Sequence, residues 1–493
     1  MTRHSVVIAG GGPTGLMLAA ELRLAGVDAL IIERFPTRDR PGSRGLGMHA
    51  RTIEILDQRG VADRFVSQGE TNPTVGFHTL PMSLSDFPSR HNYTLGLVQK
   101  RSEQILAGWV LDELRAPIQY GVEVTRFAQD EAGVDVHLSD GRSLRAAYLV
   151  GCDGGRSVIR KSAGIEFPGS DPTKSWLIAE AHVREEPAWG FKETETGNHG
   201  IGKLGEDGKT IRTVLVEAEL KTASDPTLDE VKAALVSVFG SDYGIHSPIW
   251  ISRFTDMTRQ AARYRKGRVL LAGDAAHVHP PMGGQGLNLG MQDAMNLGWK
   301  LAQVAKGDSS ESLLDTYQTE RHPVAARALR TTMVHVALSR PDERTKAVVA
   351  MLGELVRMDE PRKALAGDMT GLGIRYELGE GHPLLGRRMP DLDVITSGGS
   401  VRVFSLLHQA RPVLLNFKAP GSIDIGAWAD RVQLVDAKYG GTWEIPVIGV
   451  VPAPPAVLIR PDGYVAWAGD QGQSGLVDAL SRWFETSLRQ RNS

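Results

Sequence analysis

Ser5-Val6-Val7-Ile8-Ala9-Gly10-Gly11-Gly12-Pro13-Thr14-Gly15 runs a short apolar stretch into a glycine-rich turn, and this junction decides the fold. The apolar residues predict a β-strand, and the spacing of Leu16, Leu18, Ala19 and Leu22 predicts a helix directly behind it. In Gly10-x-Gly12-x-x-Gly15, Gly10 permits a tight turn and Gly12 lets the backbone approach a pyrophosphate. Gly15 lets the helix pack against its strand, and Pro13 and Thr14 open a helix whose N-terminus faces the phosphates. A second apolar run over 29–32 ends at Glu33, followed by Arg34. An acid at that distance suits the ribose of a bound dinucleotide. Strand, turn, helix, strand and acid together predict dinucleotide binding, with a plain βαβ turn as the bland alternative.

The 493 residues suffice for two or three domains with cores of their own. Lys and Arg number 56 against 58 Asp and Glu, a net charge of −2, so no electrostatic footprint for nucleic acid or an anionic membrane is expected. No apolar run approaches the roughly 20 residues of a membrane span, and the glycine turn interrupts the N-terminal apolar run, so no signal peptide is expected. Cys152 is the single cysteine. It excludes an intramolecular disulfide and a cysteine-based metal cluster, and it fits a cytoplasmic protein.

Along the chain, β-α-β over 1–70 leads through an arginine-rich loop (Arg38, Arg40, Arg44) into a helix at about 49–59. Residues 73–96 read as irregular, a helix follows at about 102–114, and three strands lead to position 150. Residues 176–254 are mainly extended, with one helix at 228–239. A buried strand at 268–271 precedes a long helix at 285–304, with more helix to about 366. Gly379-Glu380-Gly381-His382-Pro383 marks a boundary, and the residues behind it alternate strands and helices again.

Two further motifs follow predicted strands. Gly151-Cys152-Asp153-Gly154-Gly155-Arg156-Ser157-Val158-Ile159-Arg160 follows the strand ending at Val150, and Ala272-Gly273-Asp274-Ala275-Ala276-His277 follows the strand ending at Leu271. Each sets an acid and a glycine at the carboxyl end of a strand, where open α/β sheets bind ligands. In this order the three motifs resemble those of the class A FAD-dependent aromatic hydroxylases, the para-hydroxybenzoate hydroxylase-like family. The resemblance covers residues 1 to about 380. The loop Ser43-Arg44-Gly45-Leu46-Gly47-Met48-His49-Ala50-Arg51-Thr52, with Asp57-Gln58-Arg59-Gly60, Trp299-Lys300-Leu301 and Glu320-Arg321-His322-Pro323, is similar to the subgroup of polyketide hydroxylases and rifampicin monooxygenases. Gln99-Lys100-Arg101-Ser102-Glu103 departs from that subgroup's Pro-Gln-x-x-Thr-Glu.

The resemblance implies an α/β fold: a Rossmann-like FAD-binding domain (1–72, 97–174 and 262–384), a mixed-sheet substrate domain (73–96 and 175–261), and a C-terminal domain (385–493). It implies that Gly10, Gly12, Pro13, Thr14, Gly15, Glu33 and Arg34 hold the ADP half of FAD. Asp153, Gly154 and Arg160 would serve FAD and the nicotinamide cofactor, and Gly273 and Asp274 the ribityl and pyrophosphate region. Arg44 and Gln99 would lie near the flavin, beside Pro281, Gly284, Gly286, Leu287 and Asn288, the glycine-rich loop opening the long helix. Arg44, Pro281 and Gly284 are the candidate catalytic positions.

The cofactor carries the hard chemistry in such enzymes, so no nucleophile, triad or metal is required. Reduced flavin is anionic near N1 and C2=O, and a helix N-terminus there would stabilise it. The resemblance implies an enzyme using NADPH and O2 to hydroxylate a polycyclic aromatic or polyketide-type small molecule through a flavin C4a-hydroperoxide, in antibiotic biosynthesis. Oxidative inactivation of a rifamycin or tetracycline type antibiotic, Baeyer–Villiger oxygenation and flavin reduction without oxygen insertion stay open. With only one nucleotide fold in the sequence, NADPH would bind transiently, with Arg44, Arg156 and Arg160 as cationic contacts. His277-Val278-His279 reads as part of a structural loop rather than a metal pair. Trp176, Phe77 and His199 either line the substrate cavity or pack the sheet.

The last 110 or so residues resemble a thioredoxin-like fold, with Pro455 as a candidate cis-proline. Lys418-Ala419-Pro420-Gly421 stands where redox members carry Cys-x-x-Cys, which leaves packing or assembly, including a homodimer, as its role. The extension is expected to be separable from the flavin site.

Overall fold

The computed structural model describes residues 3–39, 42, 45–204, 208–222, 225–469 and 475–485. Arg44 lies outside the described residues. The first strand, Arg3–Ala9, sits in the middle of an eight-stranded sheet. Parallel neighbours flank it: Ala29–Glu33 and Ile118–Tyr120 on one side, Ser143–Gly151 and Val269–Leu271 on the other. The antiparallel strands Gly133–Leu138 and Val124–Asp130 branch from Ser143–Gly151. Val6, Val7, Ile8, Ile31, Leu149, Val150 and Leu270 are buried, the near-continuous apolar pattern of parallel strands covered on both faces.

The register matters most. Ala9 pairs with Gly151 and Ile32, and Gly151 pairs with Leu271, so these strands end in one row. Their exits are bonded across: Gly10 N donates to Ile32 O (2.8 Å), Cys152 N to Ala9 O (2.8 Å) and Ala272 N to Gly151 O (3.0 Å). All three motif loops therefore leave the sheet side by side.

Two helices close over this edge. The first, Pro13–Leu24, packs along the long helix Gln285–Lys306. Glycine makes the approach possible. A Cβ at Gly290 would stand 2.2 Å from Thr14 Oγ1, and one at Gly298 would stand 2.4 Å from Glu21 Cβ. Glycine inside a helix costs about 1 kcal/mol relative to alanine, and here it lets the backbone of the long helix meet the Thr14 and Glu21 side chains of the first.

Above the loops stands a five-stranded antiparallel sheet in the order Gly190–Thr194, Gly197–Lys203, Thr210–Val216, Ser175–His182, His246–Thr255. Leu177, Ala179 and Ala181 point with Ile211 and Leu215 toward Val231 and Leu235 of the helix Leu228–Phe239. A capping box between Thr227 and Glu230 starts that helix. The alternate residues, Trp176, Ile178 and Glu180, face the other way.

Several sequence expectations change. Residues 73–96 form a hairpin, Thr74–Phe77 with Leu80–Ser83, and the strand Thr94–Gly96. Pro73 and Pro81 hid its alternation, yet Val75, Phe77 and Met82 are buried against Ala366 and Met369. The helix expected at 102–114 begins earlier, as Gln99–Ala107, and widens into π-helical geometry over Gly108–Glu113. No peptide bond among the described residues is cis, so Pro455 is trans.

Behind residue 384 a four-stranded sheet runs Gln433–Asp436, Val413–Asn416, Ala456–Ile459, Val465–Gly469, the first pair parallel and the rest antiparallel. This is a thioredoxin-like order, but Leu476–Trp483 is the one α-helix among its described residues, where repeated helices were expected. Its two faces have different partners. Val413, Leu415, Val457 and Ile459 build a core of their own. Leu414, Ala456 and Leu458 join the core of the parallel sheet, with Trp299 of the long helix 6.2 Å from Trp483.

Charge is buried at this seam. Arg460 donates to both oxygens of Glu320 (2.7 and 2.9 Å), which also receives Lys300 Nζ (2.9 Å). Arg388 pairs with Glu54 at 2.9 Å. Arg59 pairs with Glu21 (2.6 and 2.7 Å) and donates to the carbonyls of Leu407 and Pro461. Buried charge thus ties the extension to the helices beneath it. Deleting residues 385–493 takes Arg388 from the buried Glu54 and Arg460 from the buried Glu320 and bares Trp299, so the truncated chain should aggregate and take up no FAD. A soluble truncated protein with full FAD content would contradict this. Arg460→Leu should cost about 3–5 kcal/mol in a urea titration, because it leaves Glu320 without its arginine.

Candidate functional site

The glycine turn is built around one close approach. Gly10 has φ +107°, and a Cβ there would lie 2.3 Å from the carbonyl oxygen of Cys152. The first and second motif loops therefore touch through backbone. Gly15 is as tight against Gly10 O, at 2.0 Å from its Cβ position. Pro13 is the first residue of the helix, with Gly12 as its cap.

Glu33 is 3% exposed. It accepts from Gly11 N (Oε2, 2.6 Å) and from Phe35 N (Oε1, 2.9 Å). The acid read from the sequence as a ribose ligand also ties the glycine turn to the second strand. Arg34 beside it is exposed, over the ring of Phe35.

Asp153 Oδ2 accepts from Val158 N and Ile159 N at 2.7 and 3.1 Å. Its other oxygen, Oδ1, is buried with no partner among the described residues. A carboxylate oxygen left so is expensive unless something binds it. Gly154 has φ +80° and open space where a Cβ would be. Arg160 was expected to reach the nicotinamide cofactor. Instead it is buried, donating to Gly155 O (2.9 Å) and Ala275 O (2.8 Å), with Phe167 beneath its guanidinium. It latches the second and third motif loops together. Arg156 is exposed.

In the third loop Gly273 lies against Thr14 and Asp274 projects into the open. Asp274 Oδ1 and His279 Nε2 both face Gly286, 3.6 and 3.8 Å from its Cβ position. His279 Nδ1 donates to Pro280 O at 2.7 Å, which leaves Nε2 as an acceptor. His277 is buried and bonded to Asp293, and no cluster of metal-ligating side chains occurs among the described residues.

The loop that opens the long helix turns sharply. Pro281 and Gly284 are exposed, Gly283 and Gly284 have φ +69° and +64°, and Gly284 caps the helix. Asn288 Nδ2 donates to Gly284 O (2.8 Å) while its Oδ1 accepts from His49 N (2.8 Å), which fixes loop and neighbouring helix together. Leu287 is half-buried. The first amides of a 22-residue helix are thereby presented at one place beside Asp274. Gln99 accepts from Gly45 N (2.9 Å) and donates to Glu103 (2.7 Å), so it holds the end of the arginine loop.

Toward the five-stranded sheet, Trp176 stacks on Phe254 with centroids 5.3 Å apart, and Glu180 pairs with Arg212 at 2.7 Å. Trp250 on the same face lies where a Cβ of Gly42 would fall. Two other candidates pack instead. Phe77 belongs to the hairpin core, and His199 is consumed by Val216 N, Thr194 and Thr196.

The site fits FAD. It offers a side-chain-free phosphate turn, an unpartnered oxygen on Asp153, an uncommitted carboxylate on Asp274 and a helix N-terminus in one line. Its support Asp293 escaped the sequence reading, and Arg321 entered it only as part of Glu320-Arg321-His322-Pro323. The signal for Asp293 was an acid set between Met291 and Met295 on an otherwise apolar helix face.

A parallel sheet with these three loops defines an FAD-binding oxidoreductase. The family comparisons agree: residues 3–332 match the FAD binding domain family and residues 382–487 the aromatic-ring hydroxylase C-terminal family. The chain is 43% identical to the 12-dehydrotetracycline 5-monooxygenase/anhydrotetracycline 6-monooxygenase of Streptomyces rimosus, over 98% of this chain and 99% of that protein. It is 44% identical to the rifampicin monooxygenase of Streptomyces venezuelae, over 97% and 98%. The solved structure of OxyS, an anhydrotetracycline hydroxylase from Streptomyces rimosus, superposes with a TM-score of 0.89 at 42% identity, over 98% and 99%. The chain belongs to the FAD-dependent aromatic-ring hydroxylases and is a monooxygenase.

Two histidines beside the flavin loop give the site a pH dependence. Burial pushes His49 and His335 down to about 4; the Gly283 and Met369 carbonyls oppose this at His49, and the nearby His78 adds to it at His335. The unfolded chain protonates them near 6.5, so acid favours unfolding. Stability is complete above pH 6.5 and falls as the pH drops toward 4, by about 3 kcal/mol per histidine. Urea midpoints measured across this range should show the decline, and His335→Gln should reduce it.

Proposed function

We propose that this monooxygenase uses NADPH and O2 to hydroxylate a polycyclic aromatic, polyketide-type substrate. The observation that carries the reading is the inner face of the five-stranded sheet. The stacked pair Trp176 and Phe254 offers a flat apolar wall, and the buried Glu180–Arg212 pair supplies polar groups beside it. A fused-ring molecule with phenol and ketone oxygens matches both halves of that surface. Relatives similar over their whole length are named for anhydrotetracycline and rifampicin, which supports the same substrate class. Between biosynthesis and antibiotic inactivation, the proposal commits to the shared oxygen insertion, with biosynthesis as its setting.

FAD would supply the activation of O2, for which the side chains have no equivalent. In this reading the glycine turn and Glu33 bind its ADP half. Asp153 Oδ1 would accept from a cofactor hydroxyl, and Asp274 would orient the ribityl chain. The helix N-terminus at Gly286, Leu287 and Asn288 would hold the flavin and favour its anionic form. Pro281, with φ −70°, and Gly284 set the turn of that loop. Arg44, which lies outside the described residues, is the proposed catalytic cation. Arg156 is the proposed exposed contact for NADPH. No helix among the described residues is long and apolar enough to cross a membrane, and a cytoplasmic setting gives access to NADPH.

The test is a panel of polycyclic phenols, tetracyclines and rifamycins with the FAD-loaded protein. The expected result is substrate-stimulated NADPH oxidation with a product one oxygen atom heavier. A product that gains only hydrogen would make the chain a reductase and overturn the reading. Glu33→Ala should weaken FAD binding about tenfold or more, since it frees the Gly11 turn as well as removing an acceptor. An unchanged titration would remove Glu33 from the site.

A further inference from the structure

Asp274 makes no side-chain bond to the rest of the described protein, so its position depends wholly on the backbone of its loop. Three groups hold that backbone. Tyr317 donates its hydroxyl to Leu271 O (2.9 Å), Arg160 donates to Ala275 O (2.8 Å), and Asp293 accepts from Gly273 N (3.2 Å). The third acts on the amide of Gly273, the residue directly before Asp274.

Asp293 is fully buried and gathers three donors from two separate segments. Its Oδ2 accepts from Gly273 N and from His277 Nε2 (2.7 Å), the two ends of the loop. Its Oδ1 accepts from Arg321 Nε (2.8 Å) on the helix Asp315–Leu338. Removing either oxygen's charge unbalances the other side, because a buried carboxylate and a buried guanidinium each depend on the partner.

Arg321 in turn leads to the C-terminal domain. Its Nη1 reaches the Tyr376 hydroxyl at 3.4 Å, and Tyr376 stacks on Tyr464 with centroids 4.2 Å apart. Tyr464 lies on the turn whose Arg460 grips Glu320, the residue next to Arg321. A continuous set of buried contacts therefore joins the C-terminal turn to the loop of Asp274.

We propose that Asp293 is the positioning residue of the FAD loop Gly273–Ala275, and that the C-terminal domain bears on the cofactor through Tyr376, Arg321 and Asp293. The proposal rests on the reading that Asp274 meets FAD. It makes the extension part of cofactor binding without placing any of its residues at the cofactor.

The test uses the full chain stripped of FAD. FAD is titrated by fluorescence quenching, the apoprotein's melting is recorded, and the bound flavin's visible spectrum is compared. Asp274→Asn, measured alongside the wild type, checks the underlying reading. If wild type binds FAD and Asp274→Asn binds it equally, the loop does not meet FAD, and the proposal falls with that reading. If Asp274→Asn binds more weakly, Asp293→Asn is expected to raise the Kd for FAD about tenfold to a hundredfold and shift the flavin spectrum. An unchanged Kd for Asp293→Asn would overturn the proposal while leaving the reading of Asp274 intact. Should Asp293→Asn fail to fold, Tyr376→Phe decides. It keeps the stacking and removes only the hydroxyl that meets Arg321. A Kd raised about threefold or more with unchanged apoprotein melting supports the link, and wild-type affinity with a wild-type spectrum overturns it.

Discussion

Ala9, Ile32, Gly151 and Leu271 stand in one row across the parallel sheet, and the rest of the site depends on that register. Parallel strands bring successive carboxyl ends to the same edge, and hydrogen bonds between the exits fix the row. A shift of one residue would separate the glycine turn from Asp153 and turn each strand's side chains to the opposite face. The contact of Gly10 with Cys152 O is possible only at this register and only without a Cβ. The long helix must then come close enough to present its amides at the same edge, which Gly290 and Gly298 permit.

The second constraint is charge taken out of water. Arg51, Arg59, Arg321, Arg388, Arg460 and Lys300 are all buried with Glu21, Glu54, Glu320, Asp293 and Asp462. Desolvation of such groups is costly and is offset only by close geometry. The pairs here are at hydrogen-bond distance and several are bidentate. Burial alone would raise Glu320, yet Arg460 and Lys300 hold it at about 2, so it stays ionised. Lys300, which burial pushes down, reaches about 8 despite Glu320. Apolar packing tolerates small sliding between layers, whereas these pairs do not. They fix one arrangement of the C-terminal sheet on the helices that carry the flavin loop.

Sequence and structure agree where the determinants are local. Strand, glycine turn and helix are contiguous, so the three motifs could be read directly, and the helix Leu228–Phe239 stands where the sequence predicts it. Determinants distant in the chain were illegible. Arg460 and Glu320 are 140 residues apart, and nothing in either segment reveals the pairing. Arg160 looked like a surface cation on a short helix, but Phe167 and two carbonyls draw it inward. The hairpin at 74–83 was masked by prolines that break the alternation, and its burial comes from Ala366 and Met369, far along the chain. Asp293 stood in plain view on an apolar helix face, but its role appears only when Gly273, His277 and Arg321 converge on it.

These observations bear on how the family's chemistry tolerates variation. In the proposed reading the cofactor's contacts are mostly backbone: glycine turns, helix amides and short loops. Backbone contacts demand little of side-chain identity but much of position, so the residues behind the loops carry the geometry. Glu33, Arg160, Asn288 and Asp293 each bond to main-chain atoms of a motif loop. The inner face of the five-stranded sheet lies outside that set. Trp176, Ile178 and Val214 can change there without disturbing the row of strand ends, because the opposite face of the same strands is packed against the helix Leu228–Phe239. If the proposed substrate meets this sheet face, its choice can shift there while the motif loops stay fixed.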